Sequence, residues 1–208
     1  AGADRELASD DLLLLDSGGH YRDGTTDITR TIVIGTPPNG AVAAYSHVLQ
    51  SHIHLAMAKF PTGTNGKQLD AIARAPLWAA GLDFAHGTGH GVGHVLSVHE
   101  GPASISKRGD VALEAGMVLS NEPGYYQTGD WGIRIENLIV VTPAKQTGFL
   151  EFETITLCPL DRRLIDKTLL DAGEIGWIDH YHRAVYEQLH PHLSPMAKSW
   201  LEAACCPL

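Results

Sequence analysis

Five residues that could bind a metal ion lie in five short motifs spread along the chain: Asp16, Asp27, His90, Glu122 and Glu136. Four carboxylates and one imidazole offer oxygen and nitrogen donors, which suit Mn, Co, Zn or Fe better than a thiolate-rich structural zinc site. A carboxylate placed among leucine and isoleucine also loses hydration, so it needs a partner to stay ionised. Together these residues predict one dinuclear metal site.

Two of the acids are expected to lie on a β-hairpin. The residues from Asp10 to Asp16 predict a buried strand, Asp23-Gly24 carries a turn signal, and Ile28 to Ile34 alternates like a returning strand. Directly opposite side chains on such a ladder come within about 5 Å of each other. The hairpin therefore predicts that Asp16 and Asp27 are neighbours.

Two amphipathic helices are expected after the hairpin. The apolar spacing predicts one helix from Ala41 to Phe60 and a second from Lys67 to Ala80, with a break at Pro76. Three histidines of the first helix have no carboxylate motif beside them, and surface or packing roles are expected for them: His47, His52 and His54.

The remaining candidates lie in glycine-rich and strand-like segments. The run H-G-T-G-H-G-V-G, which starts at His86, and the later run V-H-E-G-P around His99 crowd imidazoles beside glycines, which allow close approach to a ligand. Val118 to Glu122 predicts a strand that ends in an acid. Ile133 to Val141 predicts a strand on which Arg134 and Glu136 share one face, a pair that in isolation would be interpreted as an ion pair.

Composition favours one main domain that does not bind nucleic acid. With 15 Lys and Arg against 24 Asp and Glu, the net charge of the 208 residues is −9. The three cysteines show no disulfide or C-x-x-C pattern, and no charged-then-apolar leader opens the chain. No apolar run approaches the roughly 18 residues of a membrane span. A cytoplasmic protein without a membrane partner is expected.

Four sets of motifs resemble the catalytic domain of the Xaa-Pro aminopeptidases, also called aminopeptidase P, of the pita-bread metallopeptidase family. They are D-S-G-G-H-Y-R-D-G-T-T-D-I-T-R-T, H-G-T-G-H-G-V-G with V-H-E-G-P, N-E-P-G-Y-Y and G-I-R-I-E-N. The resemblance covers nearly the whole chain and implies an α+β pita-bread fold, a curved antiparallel sheet flanked by helices. It implies a catalytic domain over residues 1–160. Residues 161–208 would be the helical extension of the longer, eukaryotic-type members, packed on that domain or forming a dimer interface.

The resemblance also implies roles for individual residues. The metal ligands would be Asp16, Asp27, His90, Glu122 and Glu136, with Asp27 and Glu136 bridging two divalent ions, most often Mn, for which Zn or Co could substitute. His86 and His99 match histidines that hold the peptide carbonyl and stabilise the tetrahedral intermediate. Glu122 would also exchange a proton with the attacking water, and Arg134 and Thr29 would orient carboxylates. The implied catalytic set is His86, His99, Glu122 and Arg134.

The implied activity is that of a metallo-aminopeptidase. It would release the N-terminal residue of peptides with proline in second position, by attack of a hydroxide held between the two ions. A prolidase, which would cleave only dipeptides, shares the five ligands. The alternative from another class is a pita-bread domain that has lost its metals and binds peptides. The aromatic residues Tyr125, Tyr126 and Trp131 are candidates for a proline pocket but are interpreted as core.

One departure from the family pattern concerns the start of the chain. The family's catalytic domain usually begins some tens of residues before the equivalent of Ala1, with helices, a strand and a histidine. The resemblance therefore implies that this N-terminal segment is lacking and that a sheet edge is exposed. Reduced or absent turnover is expected for the 208-residue chain alone.

Overall fold

A computed structural model of the chain describes residue 4, residues 6–95 and residues 97–208. In this part of the chain the elements are, in order, β1 (Asp10–Tyr21), β2 (Gly24–Gly35), α1 (Ala41–Ala56), β3 (Lys59–Pro61), α2 (Gly66–Ala79), β4 (Gly89–His90), β5 (Ser104–Ile105), β6 (Val118–Asn121), β7 (Gly124–Tyr126), β8 (Gly132–Arg134), β9 (Asn137–Pro143), β10 (Phe149–Thr154), short 3-10 helices at Arg162–Leu164 and Lys167–Leu169, α3 (Ala172–Leu189), a third 3-10 helix at His190–His192, and α4 (Pro195–Ala204). All strand pairs among the described residues are antiparallel. The predicted α+β class is confirmed.

The strands form one four-stranded sheet and three two-stranded ribbons within the described residues. The sheet has the order β3-β10-β9-β6, and the ribbons are β1-β2, β4-β5 and β7-β8. Backbone hydrogen bonds connect these pieces: Glu136 donates to the carbonyl of Thr29, and Ile135 donates to the carbonyl of Pro123. The ribbons that carry the candidate ligands are thereby held next to one another.

The predicted hairpin is present and is longer than expected. β1 and β2 pair over twelve residues each, with Tyr21 opposite Gly24 at the turn. The prediction that the segment from Asp10 to Asp16 is buried is wrong, because every residue of β1 is half-buried or exposed. Among the described strands β1 pairs with β2 alone, so one edge of β1 faces outward.

Both predicted helices are present, with two corrections. α1 ends at Ala56, and Lys59–Pro61 forms β3 instead of a last helical turn. α2 continues through Pro76 to Ala79. Pro76 has no N–H to donate to the carbonyl of Ile72, four residues earlier. Because Ile72 is exposed, water can donate to that carbonyl instead.

The C-terminal region shares an apolar core with the first helix. Ile178 and Val185 of α3 and Leu201 of α4 belong to one buried cluster with Tyr45 and Leu49 of α1. α3 and α4 supply the helices expected in this region, and Ser194 caps α4 by accepting a hydrogen bond from the backbone N–H of Ala197. The division into residues 1–160 and 161–208 stays a prediction.

Two histidines are buried in this core and kept neutral. Burial, followed by the nearby Arg30, lowers the pKa of His52 to about 3, and burial, followed by Arg162, lowers the pKa of His182 to about 4. His52 packs edge-on against Trp177, with 5.8 Å between ring centres. The packing role expected for His52 agrees with this position.

Acid is therefore expected to weaken the fold through His52. In the unfolded chain a histidine titrates near pH 6.5. Above that pH both states are neutral, but below it only the unfolded chain takes up the proton, so the free energy of unfolding falls by up to about 1.4 kcal/mol per pH unit for each such group. Urea unfolding at pH 7 and pH 5 should show a smaller pH dependence for His52→Gln than for the parent. Equal pH dependence in the two proteins would contradict the assignment.

The described residues contain no helix with both the length and the apolar character needed to cross a membrane. All three cysteines are free, with Cys158 half-buried, Cys205 buried and Cys206 exposed.

Candidate metal centre

Two of the candidate ligands lie where a strand is interrupted. The predicted strands ran through these positions, and for Ile133 to Val141 that prediction is wrong: β8 ends at Arg134 and β9 begins at Asn137, with Glu136 between them. Glu122 likewise lies between β6 and β7, next to Pro123, which has no N–H to continue a ladder. Glu122 and Glu136 are therefore not part of a strand. Each lies where the chain leaves one strand and enters the next, which pairs with a different strand.

The hairpin brings two further acids to the same place, with a different register from the one expected. Asp16 lies opposite Thr29, and Asp27 lies opposite Gly18, so the two acids are diagonal neighbours and not a directly opposite pair. Residues two apart on a strand share a face. Asp16, Asp27 and Thr29 therefore all project from one face of the hairpin.

His90 reaches the site because glycines let its strand lie close to β6. A Cβ atom on Gly89 would lie 1.9 Å from the carbonyl oxygen of Ser120. The His90 backbone N–H donates to the Ser120 hydroxyl at 2.9 Å, and His90 Nδ1 lies 3.0 Å from the carbonyl oxygen of Gly91. If Nδ1 donates to that carbonyl, the lone pair of Nε2 is left for a metal, an arrangement typical of ligating histidines.

All five predicted ligands line one cavity of about 290 Å³. Three overlapping groups have ligand atoms that all lie within 4.8 Å of one another: Asp16, Asp27 and Glu136; His90, Glu122 and Glu136; and Asp27, His90 and His99. Asp27, His90 and Glu136 each belong to two of the groups, and two of these three residues are carboxylates. This sharing is the geometry that two neighbouring ions with bridging carboxylates would require.

The electrostatics of the cavity favour added positive charge. Glu136 is 2% exposed, and burial together with the nearby Glu122 and Asp27 raises its pKa to about 8. Burial opposes protonation of His90, but hydrogen bonds to Asp27 and Glu122 outweigh it and raise the pKa of His90 to about 10. Divalent cations would relieve the same repulsion among the carboxylates, so the residues present fit a metal centre.

Hydrogen bonds from neighbouring residues fix the orientation of the acids. The Thr29 hydroxyl donates to Glu136 Oε2 at 2.6 Å, and the Ser120 hydroxyl donates to Glu122 Oε1 at 2.9 Å. Arg134 donates from Nη2 to Asp16 Oδ2, and its Nε donates to the Thr29 hydroxyl at 3.2 Å. These contacts leave other carboxylate oxygens available for ligation.

The two predicted substrate-side histidines differ in how they contact the candidate ligands. His99 lines the cavity, and its ring centre is 4.2 Å from that of His90. His86 is not among the residues that line the cavity. Its Nε2 is 2.8 Å from the hydroxyl of Tyr126, and this hydroxyl accepts a hydrogen bond from Arg134 Nη1 at 2.9 Å, so Tyr126 and Arg134 connect His86 to the ligands.

Tyr126 is a site residue that the sequence did not reveal. It was interpreted as core, yet it is 38% exposed and its hydroxyl joins His86 to Arg134. The sequence had indicated it only as a candidate for the proline pocket, through its place four residues after Glu122 in N-E-P-G-Y-Y. The neighbouring Tyr125 and Trp131 pack against the apolar core that α1 shares with α3 and α4, as expected for core residues.

Arg30 is a second residue without a predicted role. It is 5% exposed and donates six hydrogen bonds, to the carbonyls of Thr29, Glu136, Cys158 and Pro159, the side-chain oxygen of Asn137 and the hydroxyl of Tyr181. It therefore fixes the backbone on both sides of the bond between the Thr29 hydroxyl and Glu136. Through its hydrogen bond to Tyr181 it also connects this backbone, here called the floor of the site, to α3.

A fold of antiparallel ribbons around a cluster of carboxylates and one imidazole is the architecture of a metal-dependent hydrolase. Residues 1–143 match metallopeptidase family M24, and residues 148–208 match the C-terminal region of the same peptidases. The chain belongs to metallopeptidase family M24.

The chain is also similar to individual proteins. A probable Xaa-Pro aminopeptidase P of Laccaria bicolor is 46% identical in an alignment of 213 residues that covers 97% of this chain and 33% of that protein. The crystal structure of an X-prolyl aminopeptidase from Caenorhabditis elegans, described as a cytosolic enzyme with a di-nuclear active site, matches with a TM-score of 0.93 and 46% identity over 98% of this chain and 35% of its own. An Xaa-Pro dipeptidase from Bacillus anthracis matches with a TM-score of 0.63 and 34% identity over 72% of this chain and 40% of its own.

The predicted family and its pita-bread fold are confirmed by these matches. The chain spans about a third of the length of the curated relatives that it matches.

Proposed function

We propose that this chain carries the catalytic centre of an Xaa-Pro aminopeptidase. The observation that supports this function most strongly is the convergence of the five candidate ligands on one cavity: Asp16, Asp27, His90, Glu122 and Glu136. They offer the donor set of a hard or borderline divalent ion, and their shared members Asp27 and Glu136 suit a pair of ions.

Manganese is the proposed metal, with zinc or cobalt as substitutes. Four carboxylates and a single imidazole favour an ion that accepts several oxygen ligands. When bound, such ions supply Lewis acidity, which brings the pKa of water towards neutrality and stabilises negative charge on oxygen.

Glu122 is the proposed proton acceptor and donor of the reaction. The Ser120 hydroxyl holds its Oε1, the backbone N–H of Glu122 donates to the carbonyl of Thr88 at 2.8 Å, and Arg134 Nε lies 3.9 Å from its Oε2. A carboxylate fixed in this way can accept a proton from the attacking water and later deliver it to the leaving proline nitrogen.

His86 and His99 are the proposed substrate-contacting residues. If His86 Nδ1 donates to the carbonyl of Gly87, 2.8 Å away, its Nε2 accepts from the Tyr126 hydroxyl. Tyr126 in turn is held by Arg134, so Arg134 and Tyr126 fix the place of the His86 ring, which would contact the peptide carbonyl by exchanging the Tyr126 hydroxyl for it. His99, whose ring lies beside that of His90 in the cavity lining, would contact the same substrate.

Three peptides separate the aminopeptidase from its alternatives. The 208-residue chain, loaded with Mn, is incubated with Arg-Pro-Pro, with the dipeptide Arg-Pro and with the matched tripeptide Arg-Ala-Ala, and released arginine is measured. Release from Arg-Pro-Pro alone, at the reduced rate expected for the 208-residue chain and abolished by a chelator, is the expected result. Release from Arg-Pro alone would support the prolidase. Peptide binding without cleavage, by protein that takes up no Mn, would support the metal-free binding module.

Two further properties are proposed for the whole protein. A homodimer formed through the C-terminal region is supported by the exposed Met196 and Trp200 of α4, and light scattering over a range of concentrations tests it. A cytoplasmic location is supported by the cytosolic description of the C. elegans relative, and fractionation of cells tests it.

A further inference from the structure

A buried arginine of α2 holds the loop that carries His86. We propose that Arg74 is a positioning residue that sets the place of the His86 imidazole in the catalytic site. The inference rests on the proposed peptidase function, for which His86 is a substrate-contacting residue.

The Arg74 guanidinium binds the backbone of this loop directly. Arg74 is 1% exposed; its Nη2 donates to the carbonyl of His86 and its Nη1 to the carbonyl of Phe84, each at 2.7 Å. Nη1 also donates to Asp83 Oδ1 at 2.6 Å. The guanidinium carbon lies 3.8 Å from the centre of the Phe84 ring. The side chain thus fixes residues 83, 84 and 86 at once, which only a planar fork of donors can do.

Asp70 anchors Arg74 and also reaches the far end of the loop. It lies one helical turn earlier on α2 and is 3% exposed. Its Oδ2 accepts from Arg74 Nε at 2.8 Å, and its Oδ1 accepts from the Thr88 hydroxyl at 2.6 Å. The pair holds the loop at both ends, on either side of His86.

The hydrogen bonds of Arg74 and Asp70 to this loop, here called the clamp, also fix the position of the His86 imidazole. The Phe84 ring, which packs on Arg74, lies 4.8 Å from the His86 ring, centre to centre. On the other side, His86 Nε2 is 2.8 Å from the Tyr126 hydroxyl. A shift of the His86 backbone would therefore break the contact through which Arg134 reaches this histidine.

The variant Arg74→Lys tests the proposal, because it keeps the charge but loses the fork. We expect kcat/KM on Arg-Pro-Pro to fall about 10- to 100-fold, with the bound metal content unchanged. The same substitution made in His86→Ala should lower activity less than about 2-fold, because the residue that Arg74 positions is already gone. Lys107→Met is the matched control: Lys107 approaches the other oxygen of Asp83 from the surface, at 3.4 Å, and its loss should leave activity unchanged.

An NMR measurement tests the same proposal without catalysis. In spectra of the histidine side chains, the His86 signal should move in Arg74→Lys, should move less in Thr88→Val, and should stay in place in Lys107→Met. Thr88→Val removes a single bond of the clamp with little change in volume, so it serves if the arginine variant does not fold. An unmoved His86 signal in the clamp variants, or full additivity with His86→Ala, would overturn the proposal. A parent chain that takes up no Mn and cleaves no Xaa-Pro peptide, while the signal shifts occur, would refute the proposed function and leave the positioning role intact.

Discussion

Replacing Glu136 with Gln is expected to lower the affinity for metal at least about 100-fold and to remove peptidase activity. This loss exceeds the one usually seen when a residue that only hydrogen-bonds to a metal ligand is removed. Gln keeps the size of the side chain and can still accept the hydrogen bond from the Thr29 hydroxyl. The change removes only the charge that two of the three ligand groups share.

The same substitution is expected to leave the metal-free fold as stable as before or more so. Glu136 is buried beside Asp16, Asp27 and Glu122, and without cations these carboxylates repel one another. Metal titration followed by calorimetry measures the affinity, and urea unfolding in the presence of a chelator measures the stability. Glu153→Gln, the same change on the exposed side of β10, is the control and should alter neither quantity. Parent-like metal affinity in Glu136→Gln would remove Glu136 from the proposed centre.

Replacing Arg30 with Met should reduce the free energy of unfolding by about 3–5 kcal/mol, the range seen when one partner of a buried polar or ionic set is removed. Six acceptors would each lose one donor at once, among them the carbonyls of Thr29 and Glu136. Arg30→Lys is expected to restore only part of this loss, because one ammonium group cannot reach acceptors on β2, β9 and α3 together.

Arg163→Met provides the comparison for Arg30. Arg163 belongs to the same part of the fold and pairs with Asp161 at 2.7 Å, but its side chain is 59% exposed. Its loss should change the free energy of unfolding by less than about 1 kcal/mol. Urea unfolding of the three variants at pH 7 makes the measurement. Equal effects of Arg30→Met and Arg163→Met would show that the Arg30 network does not hold the floor of the site.

The candidate ligands could be predicted from sequence because each acid stands in a motif with its own local signal. Asp16 and Asp27 flank a turn signal, His90 stands among glycines, and Glu122 precedes a proline. Desolvation of carboxylates in apolar strands is a local argument, and it pointed to residues that line one cavity even though β1 itself proved to be half exposed.

Features that depend on distant partners could not be predicted in the same way. The diagonal register of Asp16 and Asp27 is fixed by a turn two residues long, and the strand breaks at Glu122 and Glu136 reflect hydrogen bonds to other parts of the chain. Arg30 finds acceptors 106 and 151 residues away, at Glu136 and Tyr181. No pattern within β2 contains that information, so the residue that supports the site remained without a role.

The binding of a pair of ions by the five candidate ligands is the central claim, and anomalous diffraction from crystals soaked with Mn tests it most directly. Two neighbouring anomalous peaks in the cavity lined by Asp27, His90 and Glu136 are the predicted result. Crystals that contain Mn only at other places, with the carboxylates of this cavity uncoordinated, would contradict it.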